Sequence, residues 1–150
     1  MDKPIKKMLV AIDGSETATK ALDYALNLAE MCEAEVQILS VVPSVESIMP
    51  RFIRTAPRKS YTMFIEEVEN RMKTILTEAL EVAKRKSIKK IATRLLKGHP
   101  ADKIVKTAQE EGFDLIVLGS RGLSGIEEWV LGSVSDRVAD RAACSVLIVK

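Results

Sequence analysis

The sequence is poor in the residues that usually announce metal or acid–base chemistry. It has one histidine and two cysteines. Cys32 and Cys144 stand far apart with no CxxC pair, which argues against a redox motif or a zinc knuckle, and apolar neighbours mark both as packing residues. His99 has no cysteine or second histidine near it in sequence, so it reads as a turn residue rather than a metal ligand or general base. No apolar run approaches the length of a membrane span, and the one in MDKPIKKMLVAIDGSE is too short for a signal peptide. The expected location is the cytoplasm. With a net charge of +2, the chain shows no overall pull toward nucleic acid or a membrane surface.

Several nucleotide and nucleophile motifs are missing as well. There is no GxxxxGK[ST], hence no P-loop lysine, and no GxGxxG after the first apolar run. Gly122-Leu123-Ser124-Gly125 falls one residue short of a GxSxG nucleophile elbow, and a single poorly placed histidine leaves a hydrolase triad little support.

What is present is a regular alternation. The 150 residues, 47% apolar and 29% charged, suit one domain over 1–150 that needs no staple. Met8 to Ile12 is an apolar run expected of a strand covered on both faces, ended by Asp13-Gly14-Ser15. Ser15 is a fair N-cap for a helix whose stripe is Ala18, Ala21, Leu22, Ala25, Leu26 and Ala29, ending near Cys32. Val36 to Val42 is a second strand, stopped by Pro43. Ile65, Val68, Met72, Ile75, Leu76, Ala79 and Ala83 mark a long helix that ends in the basic run Lys84 to Lys86. Ile91 to Leu96 alternates and suits a half-covered edge strand. Gly98-His99-Pro100 then turns into a helix striped by Ala101, Ile104, Val105 and Ala108. Leu115 to Leu118 and Val146 to Val149 are the last strands, with a helix over Val134 to Ala142 between them.

Such an order of strands and helices predicts a parallel sheet with helices on both faces and right-handed crossovers. Ligands of open sheets bind at the carboxyl ends of the strands, where the strand order reverses. With the order 3-2-1-4-5 that crevice falls between strands one and four, and Asp13 and Gly119 would face it together. In the same order the wholly apolar last strand would be an exposed edge. A second copy of the chain is therefore expected to pair with it through Val146, Leu147, Ile148 and Val149, giving a homodimer.

Two stretches exceed what structure alone requires. Residues 43–60 lack a period and carry Pro50 and Pro57 with Arg51, Arg54, Arg58 and Lys59. They read first as a solvated irregular loop, and second as a flap whose cations approach phosphates. The other stretch, GSRGLSGIEEWVLGSVS over 119–135, joins a strand to a helix and is longer than the 2–6 residues typical of such connections. Glycines at 119, 122, 125 and 132 let main chain approach a ligand. Ser133 and Ser135 stand at a helix start whose amides and dipole suit an anion, although Ser133 with Asp136 also matches a capping box. Trp129 and Ile126 are expected to pack this loop down rather than stack on a base.

Gly119, two residues, Gly122, nine residues, then Gly132-Ser133 resembles the ATP-binding signature of the universal stress protein family, G-2x-G-9x-G-[ST]. The likeness extends to MLVAIDGSETATKALDYAL, the strand ending Val41-Val42, the Gly98 to Ala101 turn, DLIVLGSRG and the closing LGSVSDRV and CSVLIVK. It implies a Rossmann-like α/β fold, an open five-stranded sheet of order 3-2-1-4-5, binding ATP and dimerising through the last strand. By position it places Ala11, Asp13 and Val41 around adenine and ribose, and Gly119, Ser120, Arg121, Gly122, Gly132, Ser133, Val134 and Ser135 around ribose and phosphates.

The physical reading agrees on phosphates but does not choose adenine. ATP, ADP and AMP remain open as the cofactor, and so does magnesium or manganese on the phosphates, for which Asp13 and Ser133 are the available holders. Asp13 has a second reading as a cap of the first helix, and Arg121 as a solvated side chain. Phosphoryl transfer needs a metal site and a positioned acceptor, and Asp13 is the only carboxylate expected near the cleft. The favoured function is thus a nucleotide-dependent regulatory dimer in stress response, acting on an unidentified protein partner. The alternatives are a slow ATPase or phosphotransferase at the same site, and a dimeric interaction module with incidental nucleotide binding.

Overall fold

In the computed structural model, residues 4–48, 58–122 and 131–150 are described. Arg51 and Arg54 of the basic stretch, and Gly125, Ile126 and Trp129 of the glycine-rich one, lie outside them.

The first apolar run forms β1 (Lys7–Ala11), with Met8, Leu9 and Val10 fully buried. It leads into α1 (Glu16–Cys32), where Ser15 is the N-cap and accepts the Ala18 amide on its hydroxyl. Ala18, Ala21, Ala25 and Ala29 line the buried side of this helix, and their small side chains let it lie close on the sheet. Glu33 closes it in the left-handed region at φ 54°, unusual for a residue other than glycine. β2 (Glu35–Pro43) follows, with Pro43 its last residue.

The chain then forms a short helix, α2 (Val45–Ile48), and a long one, α3 (Arg58–Lys84). Residues 45–48 and 58–60 of the stretch expected to be irregular over 43–60 are thus helical. α3 starts about two turns ahead of the stripe that begins at Ile65. Lys59 to Phe64 include no strong helix breaker, and a period of core-facing residues cannot register turns that run out beyond the core.

β3 (Ile91–Gly98), α4 (Pro100–Glu110), β4 (Leu115–Gly119), α5 (Ser133–Arg141) and β5 (Ser145–Val149) complete the chain. Pro100 opens α4 at its first position, where its missing N–H costs nothing.

The five strands form one sheet of order β3-β2-β1-β4-β5, each neighbouring pair parallel. Val10 of β1 lies beside Ile38 of β2 and Val117 of β4. The two faces follow from the period of two along each strand. Met8, Val10, Ile38 and Val117 pack with α1 and α3, whereas Leu9, Leu39, Ile116 and Leu118 pack with α4 and α5. Leu9, Leu39 and Ile116 are fully buried, each worth about 1.5–3 kcal/mol of transfer free energy.

β3 and β5 are the sheet edges. β3 is half covered, as its alternation predicts, and α3 is tied to it by Lys97, whose ammonium donates to Glu69 at 2.9 Å. That hydrogen bond, with a further contribution from Lys73, holds the Glu69 carboxyl below the usual carboxylate range. Burial pushes the Cys144 thiol up, which keeps it protonated and consistent with a packing role. Among the described residues no helix is long and apolar enough to cross a membrane.

One polar residue interrupts the apolar run of β2. Ser40 is 1% exposed, and its hydroxyl donates to the Ile12 carbonyl at 2.8 Å just where β1 leaves the sheet. Replacing it by valine removes a buried donor from that carbonyl. Ser40→Val is therefore expected to lower stability by about 1–3 kcal/mol, read from the urea unfolding midpoint, with the far-UV circular dichroism of the folded state unchanged.

Candidate functional site

β1 and β4 are neighbours, yet the chain leaves β1 toward α1 on one face and leaves β4 toward α5 on the other. A notch opens where they part, and the residues after each strand meet in it. From the β1 side, Asp13 accepts the Ser15 amide on Oδ1 at 2.9 Å. Its Oδ2 faces Gly122, where an added Cβ would sit 3.1 Å away. Gly14 turns the chain at φ +86° and lies against Ile75 of α3. Asp13 thus both shapes the entry to α1 and presents a carboxylate oxygen to the segment after β4.

From the β4 side, nearly every main-chain group is held. The Ser120 amide donates to the Val149 carbonyl at 2.8 Å, and the Ser120 carbonyl accepts from the Gly132 amide at 2.6 Å and from the Ser135 hydroxyl at 2.9 Å. The Arg121 carbonyl accepts from the Thr17 hydroxyl at 2.6 Å and the Ser15 hydroxyl at 3.3 Å, while the Arg121 amide donates back to Thr17 Oγ1 at 3.3 Å. Residues 120 and 121 are thereby wedged between the starts of α1 and α5.

These bonds redistribute the roles read from the sequence. Ser120 is 5% exposed and serves as a scaffold, with its main chain engaged by β5 and α5. The Ser135 hydroxyl is buried and donates within the notch, to Ser120 and Gly132 carbonyls, so it does not face an anion. The capping box expected at Ser133 is absent. Gly132 is the N-cap, with no side-chain cap hydrogen bond, because its own carbonyl accepts the Asp136 amide at 2.9 Å and starts the helix one residue earlier. Ser133, Val134 and Ser135 are consequently the first three helical residues. Their amides have no carbonyl a turn back within the helix, and the positive end of the helix dipole lies there.

The glycines divide too. A Cβ on Gly119 would lie 2.7 Å from the Thr17 carbonyl carbon and 2.8 Å from the Ala18 amide nitrogen, so this glycine is required by the close packing of β4 on α1. A Cβ on Gly132 would come 3.2 Å from the Ser120 carbonyl oxygen, and one on Gly122 meets, among the described residues, only Asp13.

A cavity of about 540 Å³ opens at this notch, lined by Ala11, Asp13, Val41, Gly119, Arg121, Gly122, Gly132, Ser133, Val134 and Ser135. Of the residues singled out from the sequence for the nucleotide, only Ser120 is not part of its lining. Sequence reasoning missed much of the apolar wall: Leu39 and Pro43 of β2, Phe64 and Met72 of α3, and Pro100 and Ile104 of α4. It also missed Thr17, whose signal was a hydroxyl on an otherwise alanine-rich buried helix face.

His99 precedes α4 as the expected turn residue, and it has a further task. Its Nε2 accepts from the Arg137 guanidinium at 2.9 Å, and Arg141 reaches Asp102 at 3.2 Å, so the β3–α4 turn is tied to α5 beside the cavity. Among the described residues no group of three or more His, Cys, Asp or Glu is placed to hold a metal ion. A second cavity, about 450 Å³, lies beside Ile5, Phe113 and Cys144 at the opposite end of the sheet. It has no helix start or glycine-rich connection in its wall, and open parallel sheets bind ligands at their carboxyl ends.

The sequence model of the Universal stress protein family matches residues 4–150. The chain belongs to the universal stress protein family. It is 43% identical over 147 residues to universal stress protein YxiE of Bacillus subtilis (strain 168), covering 96% of this chain and 98% of that protein. The fold is that of universal stress protein UspA from Lactobacillus plantarum, with a TM-score of 0.86 at 23% identity over 99% of this chain and 100% of that one. A universal stress protein in complex with cAMP has a TM-score of 0.73 at 30% identity, covering 99% of each chain.

In this universal stress protein, the packing demand at Gly119 can be separated from the demands of a ligand. Gly119→Ala drives a methyl into the backbone of α1 and is expected to cost about 1–3 kcal/mol. Gly132→Ala meets ordinary or slightly tight contacts and should fall within about 1 kcal/mol of the parent. Urea unfolding of the two variants side by side measures the difference.

Proposed function

We propose that the cavity holds an adenine nucleotide, with its phosphates on the first turn of α5 and its base among the apolar residues of β1 and β2. The observation that carries this reading is the meeting of a helix start, Ser133 to Ser135, whose amides have no carbonyl a turn back within the helix, with an apolar wall in one cavity. Anions favour helix N-termini, and a volume of about 540 Å³ is of the size that encloses a small cofactor. The cAMP complex of a similar universal stress protein supports an adenine nucleotide as the ligand class. Within that class, ATP fits the spacing of Gly119, Gly122 and Gly132-Ser133 that resembles the family signature, with ADP and AMP as its shorter counterparts.

The protein acts in this reading as a nucleotide-dependent switch rather than a catalyst. Among the described residues, Asp13 is the one carboxylate in the cavity wall, and no histidine, cysteine or second acid stands in it as a base. A magnesium or manganese ion accompanying the phosphates would take Asp13, with the exposed Ser133 hydroxyl nearby, which suits an ion held largely by phosphate and water. One carboxylate also keeps a slow ATPase or phosphotransferase as the second reading. Under a third, the dimer is an interaction module and the nucleotide is incidental.

The homodimer would form through β5. Val146, Leu147 and Ile148 are half-buried on an edge strand, whereas Val149 is 6% exposed and already packed within its own chain. The pairing surface therefore narrows to the first three of the four residues read from the sequence.

Mass spectrometry of the small molecules released on denaturing the purified protein should detect ATP, ADP or AMP. In calorimetry, Gly122→Val and Gly132→Val should weaken ATP binding by at least about tenfold while the fold persists, since losing one charge-assisted hydrogen bond alone is of that order. Wild-type ATP affinity in both variants would defeat the phosphate assignment, and repeated phosphate release abolished by Asp13→Ala would favour the enzyme instead. Val146→Lys, which places a charge on the open edge, should convert a dimer to a monomer in light scattering coupled to gel filtration.

A further inference from the structure

We propose that Phe64 is a specificity-determining residue of this cavity, an aromatic cover that lies on the base of the bound nucleotide. The inference rests on the adenine-nucleotide reading and adds to it a residue outside the glycine signature.

Phe64, Val68, Met72, Leu76, Ala79 and Ala83 recur at spacings of three and four, which sets them on one side of α3. At the far end that side is core: Met72, Leu76, Ala79 and Ala83 are 5%, 7%, 4% and 0% exposed. Phe64 continues the same stripe yet is 51% exposed. There it joins the wall of the cavity together with Met72. A phenylalanine that reaches a cavity and still leaves half its surface in water gains most when a flat apolar ligand covers it.

The position of α3 decides which part of the nucleotide that is. α3 packs against β2 and β3, whereas the amides suited to phosphate lie across the notch at the start of α5, beyond β4. Phe64 therefore reaches the cavity from the β2 side. The lining contributed by β2 is Leu39, Val41 and Pro43, with Met72 from α3 itself, and none of them offers a side-chain hydrogen-bond donor or a charge. A phosphate would be poorly served at that end, while a purine would find an apolar floor and one aromatic face.

The test crosses three variants with three ligands. Calorimetry of ATP, AMP and adenosine is measured on the parent, on Phe64→Ala and Phe64→Trp, and on Gly132→Val. Base stacking on an aromatic predicts that Phe64→Ala weakens all three ligands alike, by about tenfold, and that Phe64→Trp restores them. Gly132→Val should instead weaken ATP most and adenosine least. Because Phe64 is half exposed, the alanine variant should unfold within a few degrees of the parent, which separates lost stacking from lost structure. If the parent binds ATP and Phe64→Ala binds all three ligands as well as the parent does, the cover is overturned and the site stands. A Phe64→Ala loss confined to ATP would also overturn it, by placing the ring at the phosphate end. A parent that binds none of the three overturns both.

Discussion

The structure turns on a main-chain constraint at the centre of the sheet. β1 and β4 lie side by side, but their continuations go to opposite faces, so the backbone after each strand loses its ladder partner at the same place. Buried amides and carbonyls left unpaired are costly. Here the partners are short hydroxyl side chains: Ser40 on Ile12, Thr17 and Ser15 on Arg121, and Ser135 on Ser120. Thr17, Ser15 and Ser135 together hold residues 120 and 121 between two helix starts. The glycine at 119 belongs to the same solution, since only a residue without a Cβ lets β4 end directly against α1.

With the strand ends secured in this way, the cavity beside them is divided in two by chemistry. On the β4 side the lining is glycine and the first turn of α5, a surface of main-chain groups. On the β2 side it is aliphatic and aromatic, supplied by the sheet and by α3 and α4. A ligand with one flat apolar end and one anionic end matches both halves, which is the physical content of the nucleotide reading. The same division explains the scarcity of catalytic groups. Main-chain amides stabilise an anion without taking or giving a proton, and among the described residues Asp13 is the sole carboxylate in the wall.

Much of this was open to reading residue by residue. The apolar runs at Met8, Val36, Ile91, Leu115 and Val146 are the five strands, and the alanine stripe from Ala18 to Ala29 is the buried side of α1. Asp13 and the glycine-rich segment do line one cavity, as expected of two segments flanking the point where strand order reverses. The errors were local. Ser133 has the spacing of a capping box, but the Gly132 carbonyl starts the helix first. Ser120 and Ser135 are buried, and the Ser135 hydroxyl bonds the Ser120 and Gly132 carbonyls, a pairing that no local pattern shows. α3 begins ahead of its apolar period because Lys59, Ser60, Thr62 and Met63 in its first turns are exposed, where burial imposes no period.

Local pattern by itself determined the elements, their alternation and hence the parallel sheet, because burial on two faces imposes periods of two and 3.6 that a chain cannot hide. It also determined which segment supplies the bare main chain. Tertiary structure alone decided which hydroxyls hold carbonyls and which face the cavity, and which glycine serves packing. It decided as well that Phe64, Met72, Pro100 and Ile104 complete the wall. Those assignments depend on contacts between residues far apart in the chain, such as Thr17 with Arg121, and no period or short motif carries information about a partner a hundred residues away.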